Sequence, residues 1–255
     1  EYTVPITNYT TFYKQREPHR SYNTLGMLTQ IKYPTGGVSQ IMYDTNTYTQ
    51  KLNENRDAYI EENKDGGGVR VYSITEYEDE SLSTIIKKKS FSYDDPKTYQ
   101  SSGILFASPK YVWYDWRGTP AFGNAQAYLS TFRASSLIPL SNSFGPAIGY
   151  SYIREENLDG GYTIYHYSNI EPLQDLPYSV KFSDKGNFPN QHFTERGYLR
   201  GKLLDVTNYN SNNKKVDKIS YTYRDCGNEQ DSVITSDIGV VGSNYYCAWI
   251  GGIYT

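Results

Sequence analysis

The sequence predicts a mainly β protein: a twisted antiparallel sheet built from successive β-hairpins, with little helix. Three observations carry this. Tyr occurs 28 times in 255 residues while Met occurs twice, and Tyr suits half-buried sheet faces where the ring packs and the hydroxyl meets water. Short alternating runs are punctuated by Gly, Pro, Asn and Asp, the residues that turns demand. Only Ala125 to Ser136 has a helix-like composition, and it is short. Mean hydropathy is −0.69, yet aromatics make up 16% of the chain, more than a disordered segment carries. The expected core is therefore thin and spread over sheet surfaces, in one all-β module covering residues 1–255.

Along the chain, Tyr2 to Tyr13 reads as extended, interrupted by Pro5, and Arg16 to Arg20 as a polar connection with His19 on the surface. Gly26 to Asp44 is the best-marked hairpin. Leu28 and Ile31 carry the bulk of its first run, Ile41 and Tyr43 that of its second, and Pro34-Thr35-Gly36-Gly37 joins them. Residues 45–65 turn polar, with a helical turn expected over Asp57–Glu62. A second hairpin spans residues 68–94, from Gly66-Gly67-Gly68 through an acidic tip at Glu76–Ser81 to Tyr93-Asp94. Lys87-Lys88-Lys89 lies on its return strand, where Lys discourages pairing with other chains and marks a protected edge. Residues 103–147 form a non-repeating insert. A third hairpin, 148–168, turns at Asp159-Gly160-Gly161, and a fourth, 201–225, turns at Asn210–Asn213. Residues 170–196, with three prolines, read as irregular.

Several function classes are poorly served by these residues. A net charge of −3 with interspersed signs gives no basic stripe for nucleic acid. No apolar run approaches a membrane span. The histidines, His19, His166 and His192, have no nucleophile elbow beside them; His166 sits in a strand. Neither a metal nor a cofactor is expected: Asp44-Thr45-Asn46 and Asn157-Leu158-Asp159 offer oxygens, but residues of these types more often bond their own backbone in turns. Glu155-Glu156 raises a glycosidase reading, which needs two acids across one bond. Neighbours in a strand face opposite sides, so this pair suits strand-end charges better. Cys226 and Cys247 leave two readings open, a disulfide closing a loop near the C-terminus or two separate buried thiols. The aromatic cluster Trp113-Tyr114-Asp115-Trp116 is the leading ligand-binding candidate, since aromatic faces stack on sugar rings while Asp bonds the hydroxyls. The competing reading makes Trp113 a core plug and Trp116 a loop cover.

Gly26-x-Leu28-x-x-Ile31 with Tyr43-Asp44, and Gly201-x-Leu203 with Tyr221-x-Tyr223, resemble the YD repeats of bacterial Rhs-type proteins. The likeness covers about half the chain in scattered patches. It implies hairpins laid side by side in one long sheet, a cell-surface or secreted location, and a non-enzymatic structural or interaction role. The partner would be a glycan or another surface protein. The units here are longer and unevenly spaced, and Asp95-Pro96 lacks the aspartate-proline-x-glycine context of the self-cleaving core in that family. The alternative expectation is a carbohydrate-binding module using exposed Trp and Tyr; a glycan-active hydrolase ranks third.

Overall fold

The computed structural model describes residues 13–118, 126–136, 147–177, 193–194 and 196–223, with backbone alone at 113–118, 126–131, 176–177 and 193–194. Among these residues helix is confined to short turns, including α1 (Arg20–Asn23), and a ten-stranded sheet dominates. In chain order its strands are β1 (Gln30–Lys32), β2 (Val38–Leu52), β3 (Tyr59–Tyr77), β4 (Ile85–Ser92) and β5 (Gly103–Leu105). A separate two-stranded ribbon follows, β6 (Val112–Gly118) with β7 (Gln126–Phe132). The large sheet resumes with β8 (Ile148–Tyr150), β9 (Tyr152–Asn157) and β10 (Tyr162–Tyr167). A short pair, β11 (Leu176–Pro177) and β12 (Phe193–Thr194), precedes β13 (Leu203–Tyr209) and β14 (Lys215–Ser220). Spatial order is β14-β13-β10-β9-β4-β3-β2-β5-β8, with β1 also against β2. Every pair is antiparallel except β2 with β5.

The turn chemistry acts as expected. The Tyr33 N–H donates to the Gly37 carbonyl at 2.9 Å across the first turn, with Gly36 at φ +99°. The Asn157 N–H donates to the Gly161 carbonyl at 2.9 Å, and Gly160 sits at φ +82°. Both glycines take a left-handed conformation that a Cβ would penalise. All four hairpins share the one sheet.

Three stretches differ from expectation. Residues 45–65 are not a polar linker: β2 runs on to Leu52 and β3 begins at Tyr59, making one long hairpin. Its ladder is carried by Tyr48 and Leu52, both buried, and by the cross-strand ion pair of Lys51 with Glu62 at 2.5 Å. Polar residues on the outer positions masked the alternation. The helical turn expected over Asp57–Glu62 is instead a tight turn entering β3, where the Asp57 N–H donates to Asn53 Oδ1 at 3.0 Å. The helix-like 126–132 is strand β7, because pairing along the whole of β6 outweighs composition. The lysine run also falls differently: Lys89 is interior, paired with Ile74 and Asn157, while exposed Lys87 and Lys88 project beyond the end of β9.

The strand path returns on itself. β4 borders β3, but ten residues later β5 borders the far side of β2. Strands β8 and β9, separated only by Ser151, pair with β5 and then β4. The segment 85–105 thus crosses the β2–β3 ribbon, and the core sits at that crossing. Residues 103–105 are all buried. Alternation sends Ile104 into a cluster with Leu52, Phe106 and Ile170, and Leu105 into another with Tyr48 and Ile148. Burying an aliphatic side chain of this size contributes about 1.5–3 kcal/mol. Close approach depends on a missing methyl, since a Cβ on Gly103 would stand 2.2 Å from the Thr47 carbonyl oxygen.

Candidate functional site

A recurring local device organises the hairpins. The Tyr43 hydroxyl donates to the Leu28 carbonyl at 2.9 Å, Tyr93 to Val71 at 2.8 Å and Tyr223 to Leu203 at 2.8 Å. Each acceptor lies two or three residues after a glycine of positive φ: Gly26 (+78°), Gly68 (+79°) and Gly201 (+71°). Gly26 and Gly201 precede their strands while Gly68 sits at a register irregularity within β3, and in each case a tyrosine of the returning segment bonds the carbonyl that follows. Asp44, beside the first of these tyrosines, pairs with Arg70 at 3.0 Å. The Arg70 guanidinium in turn lies 4.9 Å from the Tyr93 ring centre and 5.5 Å from that of Tyr150.

The most enclosed charges join loop to core. Asp175 is fully buried, and its two carboxylate oxygens accept from Arg56 and Arg200, while the Arg196 N–H donates to Oδ1 at 2.9 Å. Arg56 lies in the β2–β3 turn at φ +54°, and its carbonyl accepts from the Leu173 N–H at 2.8 Å. The buried carboxylate is paired inside the fold, as burial requires. The cluster works as a clasp.

The broad surfaces lie over β3, β4, β9, β10 and β13. On one face, Val71 and Ile74 of β3, Phe91 of β4 with Tyr93, Ile153 and Glu155 of β9, and Tyr165 and Tyr167 of β10 wall a shallow groove of about 340 Å³. The Lys89 ammonium pairs with Glu155 at 2.5 Å. Burial raises the phenol pKa values of Tyr93, Tyr165 and Tyr167 above the ordinary value, keeping the rings neutral. The opposite face carries cross-strand stacks. Tyr152 lies on His166 at 4.5 Å between centres, and His166 Nδ1 is 3.0 Å from Asp205. Tyr162 lies on Tyr209 at 4.7 Å, with the Arg154 guanidinium 3.8 Å from the Tyr162 ring centre.

Of the residues singled out by sequence, Trp113, Tyr114, Asp115 and Trp116 occupy β6, opposite Thr131, Ser130, Leu129 and Tyr128 in that order. Their side chains lie outside the described residues, as do Cys226, Cys247 and His192. Glu155 and Glu156 take separate partners, Lys89 and Arg154. Asp44 is engaged by Arg70, and Asp159 Oδ1 accepts from the Gly161 N–H at 3.1 Å. Sequence reasoning did not single out the groove, although Phe91 and the Tyr165-His-Tyr167 alternation were visible. What was lacking was any sign that β4 and β9, some sixty residues apart, are neighbours.

No protein-family model matches the chain, and neither a curated protein nor a solved structure does.

Proposed function

We propose that the chain is a non-enzymatic structural and interaction module of a bacterial cell-surface or secreted protein, similar in build to Rhs/YD-repeat sheets. The observation that carries this reading is the repeated device of positive-φ glycine and tyrosine-to-carbonyl bond in three hairpins of one sheet. A unit reused this way extends a surface, whereas catalysis concentrates unlike groups at one place. The hydrolase reading draws no support from Glu155 and Glu156, each held in its own ion pair.

The test is accessibility on the producing bacterium. Antibodies against the folded chain should label intact cells or culture supernatant, and protease treatment of intact cells should remove the cell-bound label. Label seen only after lysis would sink the proposal. The second reading, a carbohydrate-binding module, is favoured by the half-exposed tyrosine faces and by Trp113 and Trp116 on one short ribbon. Retention on insoluble polysaccharide, reduced by Trp113→Ala and Trp116→Ala, is its expected result.

A further inference from the structure

We propose that the face shared by β4, β9, β10 and β13 binds a neutral polysaccharide strand; this deepens the carbohydrate-binding reading and rests on it. Register places the relevant side chains together. Phe91 is opposite Glu155, Ile153 opposite Tyr165, Glu155 opposite Thr163, and Thr163 opposite Asn208. Directly opposed residues in a sheet project to the same face. The aromatic groove described above is therefore one end of a longer surface. Its other end is a second depression of about 340 Å³ at the hairpin tips, bordered by Asn157, Asp159, Thr163, Asn208, Asn210 and Ser211 and reaching round the tips to the Tyr162–Tyr209 stack. The two meet at the Glu155–Thr163 pair.

The two ends differ in chemistry. At the aromatic end, the Tyr165 and Tyr167 rings lie 6.5 Å apart with their planes 24° from parallel, offering ring surface to the C–H face of a sugar. At the tip end, the Thr163 hydroxyl donates to Asn208 Oδ1 at 2.7 Å, and Asn208 Nδ2 donates to Asp217 at 2.6 Å. The side-chain amide nitrogens of Asn157 and Asn210 have no partner among the described residues. Amides present both donors and an acceptor, which suits hydroxyls. A ligand spanning both ends needs apolar ring faces and hydroxyl edges, as a polysaccharide strand has. A peptide with apolar side chains would leave the amides unmatched, at the cost of desolvating them.

Charge sets the class of polysaccharide. Lys89 and Glu155 neutralise each other at 2.5 Å, and the tips add Asp159 and Asp217. The residues lining the two depressions include no cation to attract an anionic polymer, so the neutral class is favoured.

Affinity electrophoresis of the full chain tests this, in native gels containing hydroxyethylcellulose, galactomannan, dextran, polygalacturonate, heparin or gelatin. The expected result is retardation by at least one neutral polysaccharide, weakened about tenfold by Tyr165→Ala, the scale set by losing one aromatic stack. Asn157→Ala, at the exposed tip, should also weaken it with melting temperature unchanged, so that a folding defect in the tyrosine variant does not decide the matter. Retardation that survives both substitutions but is lost in Trp113→Ala overturns this site while upholding the carbohydrate-binding reading. Retardation by none of the polysaccharides overturns both. Stronger retardation by polygalacturonate or heparin overturns the neutral class, and retardation by gelatin alone assigns the face to extended polypeptide.

Discussion

At the scale of single residues, two side chains have the most to lose. Asp175 is fully buried between Arg56 and Arg200, so Asp175→Asn removes the carboxylate charge that both guanidinium groups face. Removing one partner of a buried pair costs about 3–5 kcal/mol, and urea unfolding should show a loss of that order; a loss under 1 kcal/mol would mean that the clasp contributes little. Tyr93 makes a smaller, cleaner test. Tyr93→Phe keeps the ring beside Tyr150, 4.7 Å between centres, and removes only the bond to the Val71 carbonyl. The expected cost is about 1 kcal/mol, with Tyr223→Phe giving a similar value by the same denaturation. The tyrosines were legible as half-buried sheet residues because alternation is local. Their acceptors were not, since each lies 15 to 22 residues away in sequence.

At the scale of elements, β5 is decisive. It is three residues long, buried on both faces, parallel to β2 and antiparallel to β8. Gly103→Ala would drive a methyl against the Thr47 carbonyl oxygen, a backbone atom that cannot rotate away. Overpacking of this kind costs about 1–3 kcal/mol. Thermal unfolding should show a lowered melting temperature, whereas Gly67→Ala, with open space at its Cβ position, should shift it far less. The hairpins themselves were readable from Pro34-Thr35-Gly36-Gly37 and Asp159-Gly160-Gly161, because turn and strands are contiguous. The extension of β2 and β3 through residues 45–65 was hidden, because its outward positions are filled by Asn, Asp, Glu and Lys that also suit loops. The ligand-binding surfaces divide in the same way: Trp113 to Trp116 stood out as a run, while the groove is assembled from strands that become neighbours only in the sheet.

For the whole molecule, the tyrosine content becomes a property of stability. Burial is the first cause raising the phenol pKa of Tyr48, which is pushed up to about 12, and it raises those of Tyr59, Tyr93, Tyr150 and Tyr152 as well. In the unfolded chain each ionises near pH 10. A folded pKa above the unfolded one contributes stability that is complete below the unfolded value and is lost as pH rises through the folded value. Stability should therefore hold to about pH 10 and decline toward pH 12, with the sheet opening as the rings ionise. Phenolate absorbance and far-ultraviolet circular dichroism should change together in one cooperative step. Independent, non-cooperative ionisation with the sheet intact would contradict this picture.

The sequence by itself determined a mainly β protein, the places of four of its hairpins and the chemistry of their turns, because each depends on residues a few positions apart. Only the tertiary structure decided how the hairpins are ordered, that β5 crosses to the far side of β2, and that Asp175 meets Arg56 across 119 residues. Those outcomes depend on which surfaces approach closely enough to exclude water. Gly103 permits that approach by an atom it lacks, and no local pattern announces it.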